Sequence, residues 1–478
     1  MSEKLTEKLG RFAEEASFES LPAEVVEESK RTLLDTIGCA LGGTHGAKGK
    51  AGVELGLVTG GTDGPATIIG TPHRTSVVGA AFANGELIND LDFDAVLPPG
   101  HVSPYVVPGI LSIGEASRAS GREIIRALAV SHEISFRFGK SMDSTRDHKS
   151  GATSHAKVIG YSATVFGAAA AASMLLGAKQ GEIAHALAIA ASTSPVNAHK
   201  AWMTETPAST IKYLVAGSLA ESGINAAYMA RLGHHGALQV LDDTDFGYPV
   251  FIGTDRWIPQ NIANGVGGKA WGWPNENSIK PYPHCRILHA PLHALIELVT
   301  ENDIKPEEID AIRAWGEAWV MQGVWLDNRV ESAYEAQMSM ANGLSVGAHR
   351  IAPGAAWQDP ALYRGESVLK LMEKVDYQPH PDYVEEIKKN PSARPSRIEI
   401  DARGATFVAE RMFPKGVASP DPTTFMTNDE LVEKFHVNAE GVIPRSAADQ
   451  VVEAVLGLEL EDDFSRVMHL LANSAETA

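Results

Sequence analysis

The first 270 residues contain many apolar runs with helical spacing and almost no strand-like alternation. Between Pro22 and Leu41, apolar residues recur every three or four positions, proline can occupy the first turn, and Gly42-Gly43 ends the run. Several of these runs are rich in alanine and apolar on most sides, which predicts central helices of a large bundle. Similar patterns follow at residues 76–91, 121–138, 160–176, 181–192 and 210–232.

The composition changes near Gly265, where the chain becomes rich in glycine, proline and aromatic residues. β-like runs then occur at residues 311–316, 397–402 and 405–412, with helical stretches between them at 288–301 and 335–348. After Pro420 helical patterns return, at residues 427–435, 447–457 and 463–472.

This order predicts a mainly α fold with an inserted α+β lid. A chain of 478 residues is long enough for two domains. We therefore expect a large all-helical domain formed by residues 1–265 and 419–478, and a smaller α+β domain formed by residues 266–418.

The charge balance restricts the partners of the protein. Lys and Arg number 41 and Asp and Glu number 60, which gives a formal net charge of −19. Nucleic acids and anionic membranes both require a basic face, so neither is expected as a partner. An anionic small molecule remains compatible with this charge, provided that a few Lys, Arg or His side chains form a local cationic pocket.

Only two cysteines, Cys39 and Cys285, are present. This number excludes a disulfide framework, is typical of a reducing compartment, and is too small for an iron–sulfur cluster held by this chain. The N-terminal segment is charged and has no apolar core, and the most apolar stretch, residues 161–177, is shorter than the ~18 residues that indicate a membrane span. We therefore expect a cytoplasmic protein.

Sequence motifs for common cofactors are absent. There is no phosphate loop and no GxGxxG motif after a strand. His132-Glu133 begins an apparent HExxH zinc motif, but Phe136 stands at its last position. We therefore expect a protein that needs neither a cofactor nor a metal.

One segment, residues 84–108, combines acidic residues with a histidine. An apolar helical pattern runs into Asp90, Asp92 and Asp94, and a Pro-Pro-Gly turn separates them from His101. Such acidic clusters are usually solvated or cap the next helix. However, carboxylates are unfavourable at a helix C-terminus, and the flanking residues are strongly apolar, which favours a functional role.

The motifs Asp92-Phe93-Asp94 and His101-Val102-Ser103-Pro104 resemble the signature of the MmgE/PrpD family. The resemblance implies a helical domain with a lid, a homodimer, and a cofactor-free enzyme that acts on a small anionic di- or tricarboxylate. Further matches occur in the expected order along the chain, at LLDTIGCALGG (33–43), LLG (175–177), SGINAAYMARLG (222–233), KPYPHCRILHAPLHA (280–294) and FPKGVASPDPTTFMTNDELVEKF (413–435).

The resemblance also implies the site residues. It places Asp92 and His101 in the active site, Lys212 of TIKYLVAG at the family's lysine position, and His155 at a further histidine position. A lid histidine is also implied, for which His284 and His289 compete. Removing a proton next to a carboxylate requires a base, and also cations where negative charge develops. We expect these cations to come from Lys212 and from two basic lid residues, Lys280 and Arg286.

The resemblance does not determine one reaction. The first hypothesis is a lyase that dehydrates a 2-methylcitrate-like tricarboxylate. The alternatives are a cis-aconitate-type decarboxylase and an epimerase of an imino- or aminodicarboxylate such as iminodisuccinate, and the last is a ligand-binding homologue without turnover. Dehydration, decarboxylation and epimerisation all transfer a proton next to a carboxylate, so one set of residues serves each of them.

Overall fold

The computed structural model describes residues 3–142, 157–195, 201–202, 205–211, 215–268, 270–320 and 323–472. Within this part of the chain the fold is mainly helical, with a smaller α+β region, as the sequence predicts. The main helices of the larger region span Leu5–Glu15, Ala23–Gly43, Ala47–Gly60, Val77–Asn89, Ser103–Ser117, Gly121–Ser141, Val165–Leu175, Glu182–Thr193, Ala216–Arg231, Asn428–Ala439, Arg445–Leu456 and Ser465–Leu470.

The alanine and glycine residues of the central helices allow close packing. A Cβ atom on Gly223 would lie 2.5 Å from the Cβ of Ala168, and one on Gly167 would lie 2.4 Å from the carbonyl oxygen of Ser131. Larger side chains at these positions would push the helices apart. The small-residue composition therefore follows from the short distances between three neighbouring helices, Gly121–Ser141, Val165–Leu175 and Ala216–Arg231.

The described residues form two large hydrophobic clusters and a third, small one between helices of the larger region. The larger contains residues between positions 5 and 279 together with residues 426–471. Helix Asn428–Ala439 packs on helix Ala23–Gly43, so the C-terminal helices share the core of the N-terminal ones. The second large cluster contains residues 282–402 together with Trp202. The domain boundaries at residues 265 and 418 stay a prediction.

The smaller region is formed around a four-stranded sheet in the order Val375–Pro379, Ile309–Gly316, Ser396–Ala402, Ala405–Arg411. The first two strands pair in parallel, and the other neighbours are antiparallel. Ile398 and Ile400 are fully buried on the face that packs against helix His289–Glu301. The other helices of this region span Gly323–Leu326, Ala333–Met338, Met340–Ala348, Pro360–Tyr363, Glu366–Met372 and Tyr383–Lys389.

Some elements differ from the sequence-based predictions. The run at 335–348 forms two helices rather than one, because Ser339 is extended and its side chain caps the second helix by accepting from Asn342 N. Helix Ser103–Ser117 is not predicted, since it contains Pro108 in its interior. Strand Val375–Pro379 is also missed, because most of its residues are exposed and no apolar alternation marks it.

No helix in the described residues combines the length and the apolar character that a membrane crossing requires.

Candidate active site

The acidic segment follows helix Val77–Asn89 and is buried. Asp92 and Asp94 are 0% exposed, and Asp90 is 4% exposed. Asp92 has a φ of 52°, in the left-handed region that aspartate and asparagine tolerate better than most residues. Buried carboxylates require partners, so the interpretation of this segment as a solvated helix end is wrong.

His101 returns to the acidic segment through a short antiparallel pair of strands, Val96–Leu97 and Gly100–His101. Its Nδ1 atom lies 2.6 Å from Asp94 Oδ2, and its Nε2 atom lies 3.4 Å from Asp92 Oδ1. The imidazole is therefore held between two carboxylates. The motif places Asp92 and His101 together in the site, whereas Asp94 is the nearer partner of the imidazole.

Burial lowers the pKa of His101 below its usual value, and the attraction of Asp94 only partly opposes this effect. The imidazole is therefore neutral near pH 7. A neutral imidazole carries one N–H, and the short contact with Asp94 places that proton on Nδ1. Nε2 is then the nitrogen that can accept a proton.

Lys280 brings a positive charge from the beginning of the lid. Its Nζ atom lies 2.7 Å from both the Oδ1 atom and the carbonyl oxygen of Asp92, and its side chain is 0% exposed. Backbone hydrogen bonds in both directions between Val96 and Ser278 hold this segment against the strand pair that carries His101. Segments 84–104 and 280–289 are thus in contact.

A second buried lysine supports the same arrangement from behind. Lys434 Nζ lies 2.6 Å from Asp35 Oδ1, and it also donates to the carbonyl oxygens of Phe93 and Lys280 at 2.7 and 2.9 Å. It thereby fixes the backbone beside Asp92 and the backbone of Lys280. Neither periodicity nor motif spacing predicts this pair, although both residues lie in segments that resemble the family, LLDTIGC and ELVEKF.

The two lid histidines have different surroundings. His289 Nε2 donates to the carbonyl oxygen of His284 at 2.9 Å. His284 is 2% exposed, and its ring lies near the backbone carbonyls of Ala336 and Ser339, although neither contact within the described ranges has the geometry of a full hydrogen bond. Burial lowers the pKa of His284 to about 4, against the attraction of Asp92. Gly343 gives this ring space, because a Cβ there would lie 2.5 Å from its Nε2.

Arg286 lies between these two histidines in the sequence and is half-buried. Burial is the main cause that lowers the pKa of His289, and the positive charge of Arg286 lowers it further. His155 and Lys212 lie outside the described residues, so their predicted roles stay predictions.

The carboxylates and the imidazole are close enough to be considered as metal ligands. One ligand atom from each of Asp92, Asp94 and His101 lies within 4.8 Å of the others. However, the Lys280 ammonium is 2.7 Å from Asp92 Oδ1, on the same carboxylate that a metal would need. A cation at this position would be repelled by Lys280, so the donor set fits an ammonium better than a metal ion.

Comparison with known proteins relates this site to named relatives. A cis-aconitate decarboxylase-like protein of Aspergillus oryzae is 24% identical over 98% of this chain and 97% of its own length. The cis-aconitate decarboxylase of Aspergillus terreus is 23% identical over 98% and 96%. The human cis-aconitate decarboxylase is 31% identical, over 52% of this chain and 50% of its own length.

Two family models match most of the sequence. The MmgE/PrpD N-terminal domain matches residues 7–260, and the MmgE/PrpD C-terminal domain matches residues 282–460. The first model alone matches more than half of the chain and contains Asp92 and His101, and the second begins two residues after Lys280. The chain therefore belongs to the MmgE/PrpD family.

Proposed function

We propose that this protein is a lyase that transfers a proton at a carbon next to a carboxylate of a small tricarboxylate, and that its reaction is decarboxylation of the cis-aconitate type. The observation that supports this most strongly is His101 held between Asp94 and Asp92, with the Lys280 ammonium on Asp92. Two relatives that align over 98% of the chain are named for this reaction, which favours decarboxylation over the other reactions of the family.

The chemistry of this reaction defines what the site must supply. The bond between the CH2 group of cis-aconitate and its carboxylate breaks, and carbon dioxide leaves. The electron pair forms a new double bond to the central carbon, and the former double bond shifts its electrons to the CH carbon, which takes a proton. Before that proton arrives, negative charge lies on a carbon next to a carboxylate, so the enzyme needs a proton donor and a nearby positive charge.

The described residues can supply both requirements. Asp94 orients the imidazole through Nδ1, so Nε2 of His101, 3.4 Å from Asp92 Oδ1, can accept a proton that comes from solvent and pass it to the carbon. Lys280 provides a positive charge beside Asp92 without contact with solvent. We further propose that Lys212, Arg286 and His155 complete the binding of the substrate's carboxylates.

Among the lid histidines we propose His284 for the site. The charges of Asp92 and Lys280 both act on it, whereas the Nε2 atom of His289 already donates to a backbone carbonyl. His289 then serves to hold the loop that carries His284.

The reaction can be tested by incubating the purified protein separately with cis-aconitate, 2-methylcitrate, citrate and iminodisuccinate, in water and in D2O. We expect cis-aconitate to be consumed with one equivalent of carbon dioxide, and NMR to show a terminal methylene and one deuterium next to a carboxylate. Turnover of 2-methylcitrate alone, with loss of water and no carbon dioxide, would replace this proposal by dehydration. Inversion of iminodisuccinate alone would replace it by epimerisation.

We also predict that the reaction needs no divalent metal, because Lys280 already supplies the positive charge at Asp92. Protein that has been dialysed against EDTA, and shown by elemental analysis to be metal-free, should retain full turnover. Loss of activity that only an added divalent ion restores would contradict this prediction.

A further inference from the structure

Two buried tyrosine hydroxyls lack hydrogen-bond partners among the described residues. Tyr105 is 0% exposed, and Tyr334 is 6% exposed. A buried hydroxyl without a partner is unfavourable and uncommon in folded proteins. Most other buried tyrosines of the lid differ in this respect. Tyr383, for example, donates to Glu317 Oε2 at 3.0 Å.

The two tyrosines come from different parts of the fold. Tyr105 lies in the first turn of helix Ser103–Ser117, directly after His101, and its ring is 6.3 Å from that of Tyr161. Tyr161 is in turn 6.2 Å from the His101 ring. Tyr105 therefore belongs to the wall of the helical domain next to the imidazole.

Tyr334 belongs to the lid. It lies on helix Ala333–Met338, one turn before Gln337, so the two side chains share a face of that helix. Gln337 Nε2 donates to the carbonyl oxygen of Asp90 at 2.8 Å, which places this face against the acidic segment. Asp92 lies close enough to both phenols for its charge to act on each of them, so one tyrosine of the helical domain and one of the lid lie near the same carboxylate.

Both phenols remain protonated at any physiological pH. Burial raises the pKa of each well above its usual value, and the negative charges of Asp92 and Glu86 raise both further. Each hydroxyl is therefore a neutral hydrogen-bond donor. In a site that already contains buried carboxylates, neutral donors can bind an anionic group without adding another titrating charge.

We infer that Tyr105 and Tyr334 form a substrate-binding pair that donates hydrogen bonds to one carboxylate of the substrate, one from the helical domain and one from the lid. The inference rests on the proposed site and not on which reaction takes place there. The carboxylate that the two tyrosines bind is then a different one from any that contacts His101 or Lys280.

Isothermal titration with tricarballylate, an unreactive saturated tricarboxylate, tests the pair independently of turnover. A hydrogen bond to a charged group is strong enough that Tyr334→Phe and Tyr105→Phe should each raise the Kd roughly 10- to 100-fold. Neither variant should have a lower Tm than the wild type, because the hydroxyl that is removed has no partner in the described part of the protein. Tyr383→Phe is the matched control, with a lower Tm and an unchanged Kd.

The possible results separate this inference from the proposed reaction. If the wild type binds tricarballylate and both Phe variants bind it equally well, the tyrosine pair is not a substrate-binding element. A wild type that does not bind it at millimolar concentration also overturns the inference. If binding is weakened as expected but no tested compound is turned over, the inference holds and the proposed reaction fails.

Discussion

His101→Ala and Asp92→Asn should each lower kcat roughly 100- to 10,000-fold, which is the usual contribution of a general acid–base group. The imidazole contacts Asp94 through Nδ1 and lies near Asp92 through Nε2, so both substitutions interrupt the same proton path. Asparagine is the appropriate replacement at position 92, because it tolerates the left-handed φ of 52° and keeps an oxygen for Lys280.

The double variant gives the more specific result. If His101 and Asp92 act as one unit, the loss in the double variant should be close to that of the more damaging single variant and far below the product of the two. The measurement is kcat on the substrate found by NMR, together with the Tm of each variant. If the loss in kcat of the double variant equals the product of the two single losses, His101 and Asp92 act independently.

A buried histidine outside this unit provides the control. His132 lies on helix Gly121–Ser141, where Nδ1 bonds the carbonyl oxygen of Leu128 at 3.0 Å. His132→Gln should lower the Tm and leave kcat close to that of the wild type. Near-normal turnover in His101→Ala would contradict the proposed mechanism.

The sequence indicates most of the helical fold because the relevant signals are local. The spacing of apolar residues, and glycines at the ends of the runs, predict helices such as Ala23–Gly43 and Gly121–Ser141. The predicted bounds differ from the observed ones by only a few residues. The same reasoning finds three of the four strands of the main sheet, since the alternation in Ser396–Ala402 reflects one buried face. It misses strand Val375–Pro379, whose exposed residues carry no such pattern.

The sequence predicts where the candidate site lies, but it does not predict the contacts within it. Asp92 and His101 lie within ten residues and share a motif, whereas Lys280 is 188 positions from Asp92 and Lys434 is 399 positions from Asp35. Periodicity carries no information about such distant pairs. The contact of His101 with Asp94 is not predictable either, because the choice between two neighbouring carboxylates depends on the left-handed backbone at Asp92.

Lys280→Met should lower kcat roughly 100- to 1,000-fold, as expected when a buried group that stabilises developing negative charge is removed. It should also lower the free energy of unfolding by about 3–5 kcal/mol, because Asp92 then stays buried without its ammonium partner. Denaturant unfolding and steady-state kinetics measure the two effects separately.

Two further variants separate charge stabilisation from catalysis. Combining Lys280→Met with Asp92→Asn removes both charges of the pair, so much of the lost stability should return while activity stays low. Lys434→Met is the matched control. Lys434 also forms a buried ion pair, with Asp35 at 2.6 Å, but this pair does not include Asp92 or His101. It should lose a similar amount of stability and less activity than Lys280→Met. If the two lysine variants lose activity equally, the role of Lys280 is structural, because its charge would then contribute no more to turnover than a charge outside the site.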